Sequence, residues 1–283
     1  MSVPAYLKAG PFTSNVLVKK KYILFYIFQI WISMFVIQFE FWWYWSLLYY
    51  SKFIHFVIFL PLLIFVMYIS LVFVSMFIAK VLLIFVNLFH KPREGVFFRD
   101  VSDKDYRYWS LRNTIKKWPT WVSHKFPLPF LDNICFKLFG VKTKFSNSLF
   151  EGWVDTEFIE FGKNIVIGQA SIIQSAVIVG NLFIIRKTII EDNVRIGAHS
   201  VVMPGTHFHK NSILAASSLT TVGQELEEGF IYLGAPAKKY KRDVFFEDDL
   251  EKIIAKQEHD IEELRKKYED LYTRRKDKKI LIT

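Results

Sequence analysis

The chain has 283 residues, 52% hydrophobic and 18% aromatic, with 37 Lys/Arg against 27 Asp/Glu and a formal net charge of +10. That apolar content is too high for an ordinary globular domain of this length and points to a membrane protein with a soluble head. The single cysteine, Cys135, excludes an intramolecular disulfide, suits a reducing cytosolic face and reads as a packed thiol.

Residues 1–21 form a short polar segment ending in Lys19-Lys20-Lys21. From Tyr22 to Phe39 no charge occurs, and Glu40 is the first. A run near ~20 apolar residues is long enough for a transmembrane helix, and no small-residue cleavage site follows it as in a signal peptide. Phe41-Trp42-Trp43-Tyr44-Trp45, with Tyr49 and Tyr50, reads as an aromatic belt, and Lys52 marks a tight turn. A second span starts at Phe53 and continues to Lys80, with Pro61 as a possible kink; its apolar pattern persists to Phe89, before His90-Lys91-Pro92-Arg93. Residues 22–90 are therefore a two-helix transmembrane region. Lys8, Lys19 to Lys21, Lys80, Lys91 and Arg93 flank it outside, and only Lys52 lies between the spans. The positive-inside rule places both termini and everything downstream on the cytoplasmic side of an integral membrane protein.

Residues 1–145 hold 18 Lys/Arg against 6 Asp/Glu, and residues 146–283 hold 19 against 21. The excess gathers in residues 91–145, where Arg107, Arg112, Lys116, Lys117 and Lys125 interleave with Tyr106, Tyr108, Trp109, Trp118 and Trp121. Beside two spans this composition predicts contact with membrane lipid and anionic headgroups, not nucleic acid. Pro119, Pro127 and Pro129 are expected to break the segment into short interfacial helices, a collar between membrane and head.

Residues 146–240 carry a repeat. Apolar residues recur every sixth position at Phe161, Ile167, Ile173 and Val179, then one step out of phase at Ile184, Ile190, Ile196, Val202, Phe208 and Leu214. Four places after the later markers come Thr188, Val194, Ser200, Thr206, Ser212 and Ser218, all small or β-branched. A period of six fits neither a helix nor a hairpin, but fits a parallel β-helix whose narrow interior stacks each marker on its equivalents. In residues 241–283, Leu250, Ile254, Gln257, Ile261, Leu264, Tyr268 and Leu271 form a heptad seam. That C-terminal helix is either a three-stranded coiled coil or a helix lying on its own repeat. The expected fold class is an α+β membrane protein: two transmembrane helices, interfacial helices, a parallel β-helix and a C-terminal helix.

There is no P-loop, dinucleotide fingerprint, zinc-spaced Cys/His set or nucleophile elbow. His199, His207 and His209 remain, all on the repeat. His207 and His209 read as solvated corner residues; the HxH pair lacks an evident third ligand, so no metal site is expected.

The stretches FGKNIVIGQASI, IIEDNVRIGAHSVVMPGTHFHKNSILAASS and LGAPAKKY resemble the hexapeptide-repeat acyltransferases. That resemblance implies a left-handed β-helix, a homotrimer, and acyl transfer from acyl-CoA or a similar carrier thioester. The order of hydrophobic helices, aromatic-basic segment and β-helix also resembles the superfamily's membrane-anchored branch, which includes the C-terminal modules of poly-lysine synthetases. In such proteins pantetheine lies along the β-helix between subunits. The matching positions are Gly197, Ala198, Ala215, Ala216 and Ser217, then Gly234, Ala235, Pro236 and Ala237, with Lys238 and Lys239 as phosphate partners. Acyl transfer needs a general base, and His199, on an outward corner in IGAHSV, is the candidate, or else a surface histidine. The resemblance also implies a histidine just before an insertion, where this chain has Ala176. Either another base serves, or the histidine has been replaced, or the chain is a non-catalytic trimeric membrane scaffold.

Overall fold

The computed structural model describes residues 19–125, 128, 130–149, 152–243 and 266. The seam residues from Leu250 to Leu271, and with them the coiled-coil question, lie outside the described residues.

The two apolar runs form helices α1 (Ile23–Leu48) and α2 (Phe53–Phe89). Both are long and apolar enough, by length and composition, to cross a membrane. Pro61 lies inside α2 without ending it. At the turn between them the Tyr44 hydroxyl donates to the Phe56 carbonyl at 2.6 Å, and the Trp45 and Tyr49 rings stack at 4.0 Å. Part of the aromatic belt thus clamps the turn, while Trp42, Trp43 and Tyr50 stay exposed. The second half of α2 buries Val72, Met76, Ala79, Leu83 and Val86, a helical spacing that makes one face. That face meets Leu111, Ile115, Trp118 and Val122 of α3 (Lys104–His124) and Leu131, Cys135 and Phe139 of α4 (Phe130–Phe139). Lys80 of α2 donates to the Leu138 carbonyl at 2.7 Å, a cation at the C-terminal end of α4.

The collar differs from expectation in two ways. Pro119 lies inside α3, which runs unbroken for 21 residues. The penalty of about 3 kcal/mol for an interior proline is outweighed because Trp118, Pro119 and Thr120 are all buried by tertiary packing. Pro127 and Pro129 lie outside the described residues. Second, Arg112 and Lys116 do not face outward: both are buried and meet Glu157 of the repeat, at 2.8 and 2.6 Å.

The repeat winds through three stacks of short parallel strands. One holds β2 (Trp153–Val154), β5 (Ile172–Ile173) and β10 (Val201–Val202). Another holds β3 (Ile159–Phe161), β8 (Thr188–Ile190), β11 (His207–Phe208) and β13 (Glu225–Leu226). The last holds β4 (Val166–Ile167), β9 (Arg195–Ile196), β12 (Ile213–Leu214) and β14 (Phe230–Leu233). The chain visits them in constant order, so partners such as Ile190 and Phe208, or Ile196 and Leu214, lie eighteen residues apart, three hexads per turn. Eight of the ten markers, all but Val179 and Ile184, form one buried core, and all six small residues predicted inside the repeat are buried too. Val194 aside, their hydroxyls return to backbone carbonyls: Ser200 donates to Ala215 at 2.9 Å and Ser212 to His209 at 2.7 Å.

Two markers are corrected. Ile173 pairs with Val202, a gap eleven residues too long for one coil. The excess is a hairpin of β6 (Ala176–Val179) and β7 (Leu182–Ile185) that leaves the prism, taking Val179 and Ile184 out of the hexad series. Gly180, at φ 59, takes the first central position of its two-residue turn. Strand β1 (Gly95–Phe98), just beyond α2, adds antiparallel to β7. Phe183 of the hairpin packs on Trp109 and Tyr106 of α3, with ring centroids 4.5 and 5.3 Å away. The helical part and the repeat are therefore joined by a shared sheet, an aromatic cluster and the Glu157 ion pairs. At the far end β15 (Lys238–Arg242) folds back antiparallel on β14.

Candidate functional site

The corners of the prism require backbone that few residues adopt. Asn164, Asn193 and Asn211 hold one corner at φ 55–60, with side-chain amides bonded to one another at 3.2 and 3.1 Å. Asparagine tolerates this left-handed region better than other non-glycine residues. Another corner, between the stacks of β9 and β10, is held by Ala170, His199 and Ser217 at φ 55–56. The His199 amide donates to the Gln169 carbonyl of the coil before, at 2.9 Å, and the Ser217 amide to Ala198 at 2.8 Å.

The same register brings together most of the sequence-predicted site. Gly197, Ala198 and His199 lie beside Ala215, Ala216 and Ser217, and these beside the turn from Leu233 to Ala235. His199 is exposed; its chain neighbours Ala198 and Ser200 and the next coil's Ala216 and Ser217 are all small, and the larger Gln169 stands on the coil before. Backbone along this edge is open to a ligand in a way no larger side chain would leave it. Gly197 has a separate reason to be glycine: a Cβ there would collide with the Ala216 amide of the next coil.

Other predicted positions fall elsewhere. Ala237 is buried in the core cluster, its amide bonded to the Leu219 carbonyl at 2.7 Å and its carbonyl to the Gln224 side chain at 2.8 Å. Lys239 pairs with Glu227 at 2.6 Å and lies 3.6 Å over the Phe230 ring, whereas Lys238 is exposed. Ala176 opens the hairpin and is buried in the cluster of Tyr106, Trp109 and Phe183. His207 and His209 lie on the outer side of β11, away from the His199 corner, and both approach Glu191. That carboxylate was missed in the sequence because it comes from the coil before, eighteen residues ahead of His209.

A groove of about 720 Å³ runs along the stack of β3 and β8, lined by Lys137, Lys142, Lys144 and Lys210 with Glu160, Glu191 and Asp192. At the hairpin root, Asp155 accepts from the Ser175 amide at 2.9 Å. Burial pushes its carboxyl up to about 6, against the opposing pull of that amide and of Lys116. A folded-state value above the unfolded one adds stability that is complete below the unfolded value of ~3.9 and lost as pH rises through about 6. Asp155→Asn should therefore raise Tm relative to the parent near neutral pH, with the gain vanishing in mild acid. A gain independent of pH would contradict this reading.

No family model matches the chain. The 2,3,4,5-tetrahydropyridine-2,6-dicarboxylate N-acetyltransferase of Staphylococcus aureus is 31% identical over 94 residues, 33% of this chain and 37% of that protein. The chain thus matches little more than a third of the length of these curated relatives. Among solved structures, AntD, an N-acyltransferase from Bacillus cereus in complex with dTDP-4-amino-4,6-dideoxyglucose and coenzyme A, aligns with 35% of this chain and 60% of its own at 24% identity and TM-score 0.30. A hexapeptide-repeat acetyltransferase from Vibrio cholerae aligns with 45% and 88% at 15% identity and TM-score 0.36.

Proposed function

We propose that this chain is a membrane-bound acyltransferase that moves an acyl or aminoacyl group from a CoA-type thioester to an acceptor at the cytoplasmic membrane surface. It would work as a homotrimer of left-handed β-helices in the superfamily's membrane-anchored branch, near the poly-lysine synthetase modules. The observation that carries this reading is the edge on which His199 stands with Gly197, Ala198, Ala215, Ala216 and Ser217, residues too small to cover the backbone. There, pantetheine would lie along Gly197, Ala198, Ala215, Ala216, Ser217 and Gly234, with His199 taking a proton from the acceptor. Exposed Lys238 is the phosphate partner this arrangement retains. The long apolar helices and the lysine bias support a bilayer setting with both termini cytoplasmic. The lysine-lined groove supports an acceptor bearing an anionic group, such as a lipid-linked sugar or a lipid headgroup.

Calorimetric titration of the purified chain with acetyl-CoA and longer acyl-CoAs tests the donor. Saturable binding is expected, and its absence for every thioester would overturn the reading. One observation favours a second reading, a non-catalytic trimeric scaffold: Ala176 carries no titratable group and is sealed under α3. Orientation is tested by labelling Lys52→Cys in closed vesicles. Modification is expected from the face opposite the termini, and modification from the cytoplasmic face alone would refute the topology.

A further inference from the structure

We propose that Glu191, His207 and His209 form a binding site for a divalent cation of the zinc class on the outer face of β11, beside the groove that Glu191 also lines. The register builds it. Ile190 pairs with Phe208, and both side chains point into the core, at 1% and 0% exposure. His207, before Phe208 on β11, and Glu191 and His209, which follow the two strands with their amides still bonded to the next coil, then fall on the outward side, since side chains alternate along extended chain. This places His207 and His209 side by side, two residues apart, with Glu191 beside them from the coil before.

The distances suit an ion. His207 Nε2 lies 2.9 Å and His209 Nδ1 3.4 Å from the same Glu191 Oε1. All three ligand atoms fall within 4.8 Å of one another. Zinc bound tetrahedrally at ~2.0–2.1 Å holds its ligands roughly 3.3 Å apart, so only small side-chain rotations are needed. The two rings, with centroids 4.2 Å apart and tilted by 37°, present different nitrogens to one point. Without a cation, both imidazoles compete for a single carboxylate oxygen. With one, each contributes a neutral nitrogen, and two imidazoles with a carboxylate match the donor preferences of zinc. Side-chain exposures of 29% for Glu191 and His207 and 36% for His209 leave the cluster reachable from solvent. On the far side, Glu225 pairs in register with His207. Three protein ligands leave a position open for water or a substrate oxygen.

The test uses the full chain in detergent, stripped with a chelator and titrated with Zn2+ against a chromophoric competitor, with Co2+ absorption as a second readout. One ion per chain is expected for the parent, with the visible bands of tetrahedral Co2+. Glu191→Gln, close in shape to the parent, should lower affinity at least tenfold, as should His207→Ala and His209→Ala. Circular dichroism of each variant separates lost ligation from lost fold, and Glu191→Gln is decisive should either alanine variant misfold. If the parent binds no Zn2+, or if Glu191→Gln binds it with parental affinity and Co2+ spectrum, the site does not exist.

Discussion

Glu157→Ala is expected to destabilise the protein by about 3–5 kcal/mol, the cost of leaving buried cations without their counter-charge. Glu157 Oε1 receives both Arg112, at 2.8 Å, and Lys116, at 2.6 Å, and the two cations are almost wholly buried. Burial alone would raise the Glu157 carboxyl, but Lys116 and Arg112 outweigh it and hold the group below the usual carboxylate range. A depressed value means stability that is present above the unfolded value of ~4.3 and lost as pH falls through the folded one. The parent should therefore lose stability in acid, and Glu157→Ala should lose much less of its remainder there. Replacing Glu157, Arg112 and Lys116 together with apolar residues of similar volume should recover most of the loss. Thermal unfolding in detergent measures each case. An unchanged Tm in Glu157→Ala would mean that the ion pairs do not join the two parts.

The second large effect is expected at His199. If it is the general base, His199→Ala should lower turnover by about 10²–10⁴-fold. The fold should survive, because the side chain is exposed and its packing role is carried by the backbone at φ 56. Affinity for acyl-CoA should change little, so the loss should appear in kcat. Ala176→His is the complementary change. The sequence likeness suggests that it would restore a base, but the site is 5% exposed and closed by Tyr106, Trp109 and Phe183. The added volume should cost about 1–3 kcal/mol by overpacking and yield no activity. Full turnover in His199→Ala, or a gain in Ala176→His, would move the base away from His199.

The coil was legible in the sequence because its inward positions obey a period that nothing else produces. The phase slip between Val179 and Ile184 was visible, but its cause was not. The hairpin strands are as apolar and β-branched as the hexads, so each end supplied one false marker. Arg112 and Lys116 have the composition of a lipid-facing surface, and only the fold reveals a carboxylate forty residues on that faces them. Pro119 obeyed packing over propensity. The small residues Gly168 and Ala170, Gly197 and Ala198, and Ala215 and Ala216 recur on successive coils, which made the edge beside His199 visible as a pattern. Glu191 beside His207 and His209 required the eighteen-residue register, which pairs positions that look unrelated along the chain.

The last strand of the repeat bears on solubility. A stack of parallel strands ends in unpaired amides and carbonyls, and identical prisms could in principle continue one another end to end into a fibre. Strand β15 closes the stack of β14 with reversed polarity, and its sequence, Lys238-Lys239-Tyr240-Lys241-Arg242, places a cation at four of five positions. A second copy approaching that edge would meet a strand of the wrong direction and a row of like charge. Strand-by-strand growth from the β14 stack is thereby opposed.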